Sequence, residues 1–207
     1  FAEIIRDGLV RPEDVPRFAG NIHKEALRLI TLVGDIIKIT QMDDKQLPIQ
    51  REQLDLRALC ADVLEHLQPA ADSAGVKIFL EGESQWVSGA RQIADEMIYN
   101  LCDNAIKYNR PGGTVCVRLE PREEEAVALS VEDTGIGIPQ EHQGRVFERF
   151  YRVDKNRSRE IGGTGLGLSI VKHGALYHGA ALYLDSTPGV GTKITVVFPR
   201  HRPEQTQ

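Results

Sequence analysis

Glu96, Asn100, Asn104 and Lys107 recur at helical spacing in the segment DEMIYNLCDNAIKYN that begins at Asp95. At about 100° per residue they fall within an arc of about 80° on one face, with Met97, Ile98, Leu101 and Ala105 on the opposite arc. One face therefore enters a core, and the other presents a carboxylate, two carboxamides and an ammonium in a row. A solvated face of an amphipathic helix is the plain alternative. Such faces are usually rich in Lys and Glu, however, and Asn in a helix interior works against helix propensity. A carboxamide oxygen suits a magnesium ion that keeps several waters and bridges phosphates. An ammonium suits phosphate oxygens as a point charge.

Three further segments follow in order: VEDTGIGIP from Val131, VFERFYRVD from Val146 and GGTGLGLSIVKH from Gly162. Asp133 ends a strand pattern and can accept a hydrogen bond from an exocyclic amino group. Gly135 and Gly137 let the backbone turn and approach a flat ligand closely. An ordinary strand-ending turn is the alternative. Residues 139 to 162 carry little core pattern, and a loop that long in a compact domain is usually a lid, a binding element or disordered. Arg145, Arg149, Arg152, Lys155, Arg157 and Arg159 cluster there inside an acidic chain, which points to a local anionic ligand, with Phe147 and Phe150 expected to anchor the loop. Gly162, Gly163, Thr164, Gly165, Leu166, Gly167 and Leu168 precede or open a helix whose free N–H groups and dipole favour phosphate. The spacing is neither GxGxxG after a strand nor GxxxxGK[ST], which argues against a dinucleotide site or P-loop.

The elements that must position these residues form two parts. Residues 1 to 7 read as the end of a helix stopped by Gly8, and a strongly helical stretch then runs to about Met42. Ala19, Ile22, Ala26, Leu29, Val33 and Ile36 follow alternating three and four spacing, widened by Ile30 and Ile37. Two readings fit: a helix packed on its own domain, or a helical hairpin that dimerises into a bundle. A polar stretch with Pro48 links it to strands and helices that alternate without a regular βαβ repeat. Strands are expected near 54–56, 76–80, 86–88, 115–119, 127–131, 181–184 and 193–198, and helices over 57–74, 91–108 and 164–177. That pattern predicts a two-layer α/β sandwich, one mixed sheet covered on one face by three helices. Residues after Pro199 read as a disordered tail.

Composition bounds the function. The chain has 207 residues, 41% apolar and 27% charged, with a net charge of −5. That is ordinary for a soluble globular protein and gives no bulk field toward nucleic acid or acidic membranes. Cys60, Cys102 and Cys116 lack CxxC spacing and read as reduced core residues of a cytosolic protein. No apolar run reaches the roughly 18 to 20 residues needed to span a bilayer, and no signal-peptide pattern opens the chain. Phe1 begins in mid-pattern without an initiator Met, which predicts a piece of a longer protein.

The four segments, with GVGT ending at Thr192, resemble the ATP-binding domain of sensor histidine kinases, of the Bergerat ATPase group, and the resemblance covers nearly the whole chain. It implies a Bergerat fold over 54–199 and a partial dimerisation hairpin over 1–43. A linker would fill 44–53 and a tail 200–207. It implies ATP and Mg2+ as ligands, with Asn104 as the magnesium ligand and Asn100 beside the metal and phosphates. Lys107 would touch the phosphates, Tyr108 would pack on the adenine, Asp133 would recognise its amino group with support from Thr192, and Arg152 would reach the γ-phosphate from a lid. The hairpin resembles phosphate-regulon-type sensor kinases.

The resemblance further implies transfer of the γ-phosphate to a histidine of a dimerisation domain, relay to a response-regulator aspartate, and a homodimer whose membrane attachment, if any, lies in upstream segments. His23, His173 and His178 lack the HE-x-x-x-P context and read as satisfied surface or core histidines, so the phosphoacceptor is expected before Phe1. In gyrase-like and mismatch-repair ATPases a Glu stands where Asn100 stands here; a carboxamide cannot take a proton from water, which predicts slow hydrolysis. An ATP-binding regulatory or scaffold module without phosphotransfer is the second reading. A mismatch-repair or chaperone ATPase is disfavoured by Asn100 and the hairpin.

Overall fold

The computed structural model describes residues 1–43, 51–123, 125–153 and 164–199. The expected linker core at 44–50, the basic residues Lys155, Arg157 and Arg159, the glycines Gly162 and Gly163, and the expected tail lie outside the described residues. A short helix α1 (Ala2–Arg6) and a 3-10 turn (Pro12–Asp14) lead into the 29-residue helix α2 (Val15–Asp43). Then follow β1 (Glu52–Asp55), α3 (Leu56–Ala74), β2 (Lys77–Glu81), β3 (Trp86–Gly89) and α4 (Arg91–Lys107). The chain continues through β4 (Thr114–Arg122), β5 (Ala126–Asp133), α5 (Gln140–Gln143), α6 (Gly167–His178), β6 (Ala181–Thr187) and β7 (Gly191–Pro199).

The main sheet has five strands in the order β2-β4-β5-β7-β6, with β2 parallel to β4 and every other pair antiparallel. Its inner face alternates as a half-buried sheet should: Val115, Val117 and Leu119 on β4 meet Val127, Leu129 and Val131 on β5 and Ile194, Val196 and Phe198 on β7. Leu59, Val63 and Leu67 of α3, Ile93, Met97, Leu101 and Ala105 of α4, and Val171 and Ala175 of α6 complete one core. The α/β sandwich covered by three helices is therefore present. One point differs: β1 and β3 pair only with each other, as a separate antiparallel sheet. Each is four residues long and runs into a helix, β1 into α3 and β3 into α4, so both serve as helix entries and not as sheet edges. β1 also starts at Glu52, inside the span expected for the linker.

Local chemistry explains the boundaries. The Asp55 carboxylate accepts from the Arg57 and Ala58 N–H groups (2.9 and 3.5 Å) and so caps α3. Gly75 ends that helix in the left-handed region at φ 66°, where glycine carries no Cβ penalty. Cys60 and Cys102 are buried, and burial pushes the Cys60 thiol up to about 12 and the Cys102 thiol upward too, which makes both inert packing residues.

Helix α2 touches the rest of the chain beside its heptad stripe. Leu32, outside the heptad seam, packs against Leu166 and Ile170 at α6. The seam itself stays open, with Leu29 61% and Val33 55% exposed and Ile30 and Ile37 beside them.

α4 has no side-chain cap at its start. Instead the Ala90 N–H donates to Nε2 of His178 (3.1 Å), whose Nδ1 lies 2.8 Å from the Gly174 carbonyl. A carbonyl only accepts, so Nδ1 carries the proton and the ring is neutral. His178 is 2% exposed and stands edge-on to Phe198 with centroids 5.6 Å apart. The expectation of a satisfied core histidine holds for it. Burial lowers its pKa from the ordinary value near 6.5. The unfolded chain therefore binds a proton that the folded chain refuses, and stability falls as pH drops below about 6.5. Thermal melts across pH 8 to 5 should show this loss, with a limiting slope of about 1.4 kcal/mol per pH unit, and His178→Asn should flatten it at lower overall stability.

Candidate functional site

A cavity of about 660 Å³ opens between α4, the α6 N-terminus and the ends of β5 and β7. Its size is that of a site for a small organic ligand. Along α4 it is lined by Glu96, Asn100, Asn104, Lys107 and Tyr108, the face read from the helical spacing. The Asn100 amide donates to the Glu96 carbonyl (2.8 Å), a back-bond that fixes its orientation. The Lys107 ammonium is held by Asp103 at 2.6 Å on an exposed surface.

The far wall is built by the strand ends. Asp133 lies opposite Thr192 in the β5–β7 register, and both line the cavity. The Asp133 Oδ1 accepts from the Gly135 N–H (2.7 Å). Burial raises its pKa, and hydrogen bonds from the Gly135 and Thr192 main-chain N–H groups oppose that rise. Two fixed donors thus orient a half-buried carboxylate toward the space beside Tyr108. Gly137 lines the cavity, whereas Gly135 stands behind it: a Cβ there would collide with the Tyr108 carbonyl. The glycine permits the turn after β5 to press on the end of α4, where the Ile136 N–H bonds the same carbonyl (3.1 Å).

At the third wall, Thr164, Gly165, Gly167 and Leu168 face the cavity. Leu166 does not; it is fully buried with Ile170. α6 begins at Gly167, three residues later than the spacing suggested. A Cβ on Gly167 would stand 2.7 Å from Asn100 Oδ1 and 3.3 Å from Asn104 Nδ2, so the phosphate-friendly helix terminus is laid directly against the carboxamide face. Gly163 lies outside the described residues.

The loop after β5 departs from expectation. It contains α5, and its anchor is the buried Val146 together with half-buried Phe147. Phe150 is 56% exposed; it adopts φ 64°, and its N–H, not its ring, holds the loop by bonding the Gly165 carbonyl (2.9 Å). Arg145 pairs with Glu148 and lies over the Tyr151 ring at 4.3 Å, and Arg149 contacts His173 at 3.0 Å. Arg152 alone of the described basic loop residues lines the cavity, and its buried Nε and Nη2 have no hydrogen-bond partner among the described residues. Two buried guanidinium nitrogens left unsatisfied are costly and mark a place for an anion.

Two cavity residues come from α2 and were missed by the sequence reading: Thr31 and Asp35. The Thr164 hydroxyl donates to Asp35 Oδ2 (2.8 Å), joining α2 to the loop that precedes α6. His66 of α3 and Asp95 extend the same depression. Among the described residues no cluster of His, Cys, Asp and Glu forms a metal cage, and no helix is long and apolar enough to cross a membrane.

Comparison with known proteins fits this geometry. Residues 89–202 match the family of histidine kinase-, DNA gyrase B- and HSP90-like ATPases. The chain is 34% identical over 202 residues to the sensor histidine kinase WalK of Bacillus subtilis, covering 96% of this chain and 33% of WalK. It is 35% identical over 206 residues to the sensor-like histidine kinase SenX3 of Mycolicibacterium smegmatis, covering 97% of this chain and 52% of that protein. The chain therefore spans about half the length, or less, of these relatives. The solved mycobacterial sensor histidine kinase MprB superposes with a TM-score of 0.65 at 32% identity, covering 74% of this chain and 100% of the MprB chain.

Arg152 supplies a test that separates folding from binding. Arg152→Met removes the unsatisfied nitrogens but keeps the stem, so the melting temperature of the ligand-free chain should hold or rise. Triphosphate binding, measured by calorimetry, should weaken about tenfold or more, since hydrogen bonds to charged groups contribute roughly 1.5–3 kcal/mol.

Proposed function

The chain belongs to the histidine kinase-, DNA gyrase B- and HSP90-like ATPase family, as the ATP-binding domain of a sensor histidine kinase, and from that premise we propose that it transfers the γ-phosphate of ATP to a histidine outside this chain. The observation that carries the proposal is the single cavity in which the Asn100–Asn104 face, the Asp133–Thr192 wall, the α6 terminus and the Arg152 guanidinium meet.

In this reading Asp133 accepts from the adenine amino group, with Thr192 beside it and Tyr108 packed on the base. Gly137 gives the base close access to the backbone. Thr164, Gly165, Gly167, Leu168 and the adjoining Gly163 receive the phosphates at the α6 terminus, and Lys107 exchanges its partner Asp103 for a phosphate oxygen. Arg152 meets the charge at the γ-phosphate. Leu166 and Gly135 act by packing.

The donor set suits Mg2+. Carboxamide oxygens at Asn104 and Asn100 are enough for an ion that keeps several waters and takes its remaining ligands from phosphates, and no carboxylate cage is needed. Asn104 would be the protein ligand. When bound, the ion supplies charge neutralisation between the phosphates. The chain's own residues do the rest: they orient the triphosphate, hold its charge in a partly dry cavity and leave the γ-phosphorus open to the incoming imidazole. The imidazole nitrogen forms a bond to phosphorus as the bond to the bridging oxygen breaks, and ADP leaves.

Asn100 favours transfer over hydrolysis. Its amide is committed to the Glu96 carbonyl, and it offers no base for water. We further propose that residues 1–43 are part of a dimerisation hairpin, 44–53 its linker, 54–199 the catalytic domain and 200–207 a tail. The open apolar stripe of α2 supports a homodimer in the whole protein. The same reading places the receiver aspartate of a response regulator downstream and any membrane attachment upstream, with this portion in the cytoplasm.

Three measurements check the proposal. Calorimetry with ATP and magnesium should give saturable binding, and Asp133→Ala should weaken it at least about tenfold, as loss of a charged hydrogen-bond partner requires. Supplied with a separate histidine-bearing dimerisation helix, the chain should label that histidine from γ-labelled ATP, and Asn104→Ala should abolish labelling. ATP turnover by the chain alone as fast as in dedicated ATPases would refute the transfer role.

A further inference from the structure

Ser186 lies one layer behind the cavity wall and holds an unusual position in the hydrogen-bond network. Its hydroxyl meets three partners from two segments: the Ile138 N–H (2.8 Å) of the loop after β5, and the Gly191 carbonyl (3.0 Å) and the Thr192 hydroxyl (2.8 Å) of β7. Proton counting decides the directions. A carbonyl only accepts, so the single Ser186 proton goes to Gly191. The Ile138 N–H only donates. The Ser186–Thr192 bond must then carry the Thr192 proton, and Ser186 accepts it. Thr192 is left with lone pairs alone to offer the cavity. Its neighbour Asp133 is an acceptor as well, with Oδ1 already taken by Gly135.

The surroundings make this arrangement rigid. Gln143 donates from Nε2 to both the Ile138 carbonyl and the Ser186 carbonyl, each at 2.9 Å. The Gly189 N–H bonds the Ile136 carbonyl at 2.8 Å. The turn between β6 and β7 is thereby zipped to the loop after β5, and Ser186 is the one side chain in this set that also reaches a cavity-lining hydroxyl.

We propose that Ser186 is a positioning residue for base recognition: by taking up the Thr192 proton it turns the Asp133–Thr192 wall into a purely accepting surface, which selects a base carrying an exocyclic amino group. The inference rests on the nucleotide-binding reading and deepens it. A free Thr192 hydroxyl could rotate and donate, and the wall would then tolerate a base without the amino group. With its proton held by Ser186, Thr192 offers that base only an unmatched acceptor.

The test measures selectivity as well as affinity. ATP and purine riboside triphosphate, which lacks the 6-amino group, are titrated by calorimetry in magnesium into the wild-type chain, Ser186→Ala, Ser186→Thr, Gln143→Ala and Thr192→Val. Wild type should prefer ATP. Ser186→Ala should cut that preference about five- to tenfold, the size of one neutral hydrogen bond, and Ser186→Thr should restore it. Gln143→Ala loosens the same segments without touching the hydroxyl chain, and should leave the ratio unchanged. Ser186→Ala added to Thr192→Val should change the ratio no further, because the chain already ends there. Should alanine unfold the protein, Ser186→Cys carries the same expectation, since a thiol is a poor acceptor. An unchanged ratio in Ser186→Ala, or loss of the ratio in Gln143→Ala, would overturn the positioning role. A folded wild type that binds neither nucleotide would overturn the nucleotide-binding reading beneath it.

Discussion

The close approach of α4 and α6 is the constraint on which the site depends. Gly167, Gly174 and His178 lie on one stripe of α6, spaced by two turns and then one, and that stripe meets α4 along its length. At the cavity end Gly167 abuts Asn100 and Asn104. In the middle a Cβ on Gly174 would stand 2.5 Å from the Met97 Sδ and 3.1 Å from Ile93 Cγ2. At the far end His178 holds the Ala90 N–H that starts α4. A glycine in a helix interior costs about 1 kcal/mol relative to alanine. Here that cost secures a contact in which a helix terminus and a row of carboxamides share one ligand space.

The opposite wall follows a similar logic with strands. Asp133 and Thr192 are register partners, so the β5–β7 ladder sets their separation. The loops beyond them are then fastened to each other by Gln143, Ser186 and the Gly189–Ile136 bond. Backbone pairing fixes where the groups stand, and the hydroxyl chain fixes which way they are polarised. One wall is therefore placed by helix packing and the other by sheet register, and α2 closes the space between them through Asp35 and Thr164.

What the sequence revealed tracks the range of the signal. The Asn100–Asn104 face was legible because helical spacing puts chemistry and core on opposite arcs of one segment. Asp133 and the glycine loop were legible because turn chemistry is local. Gly174 was not, since its partner Met97 lies on another helix. Leu32, Thr31 and Asp35 were hidden for the same reason: a heptad stripe drew attention to Leu29 and Val33, while the residues that touch the domain lie beside it. Phe150 differs because an aromatic in a loop reads as an anchor, whereas here it adopts a positive φ and its ring is exposed. Ser186 carries no local signal; its three partners come from residues 138, 191 and 192 and assemble only when the strands pair.

Charge presents an apparent contradiction that geometry removes. A chain of net charge −5 is built around a cavity suited to a polyanion, and Asp35 and Asp103 themselves line it. The net charge acts from beyond a Debye length of about 8–10 Å and is screened. The local groups are not. Asp35 accepts a hydrogen bond from Thr164, and Asp103 pairs with Lys107 on an exposed surface, where such a pair contributes roughly 0–1 kcal/mol and exchanges readily. Arg152, by contrast, keeps buried nitrogens without partners among the described residues, in surroundings where a charge interacts more strongly than in water. The α6 terminus adds a partial positive charge of about half an elementary unit in the same place. Asp35 and Asp103 are thus already engaged while the Arg152 nitrogens are dry and waiting, and this asymmetry lets an acidic protein hold a triphosphate.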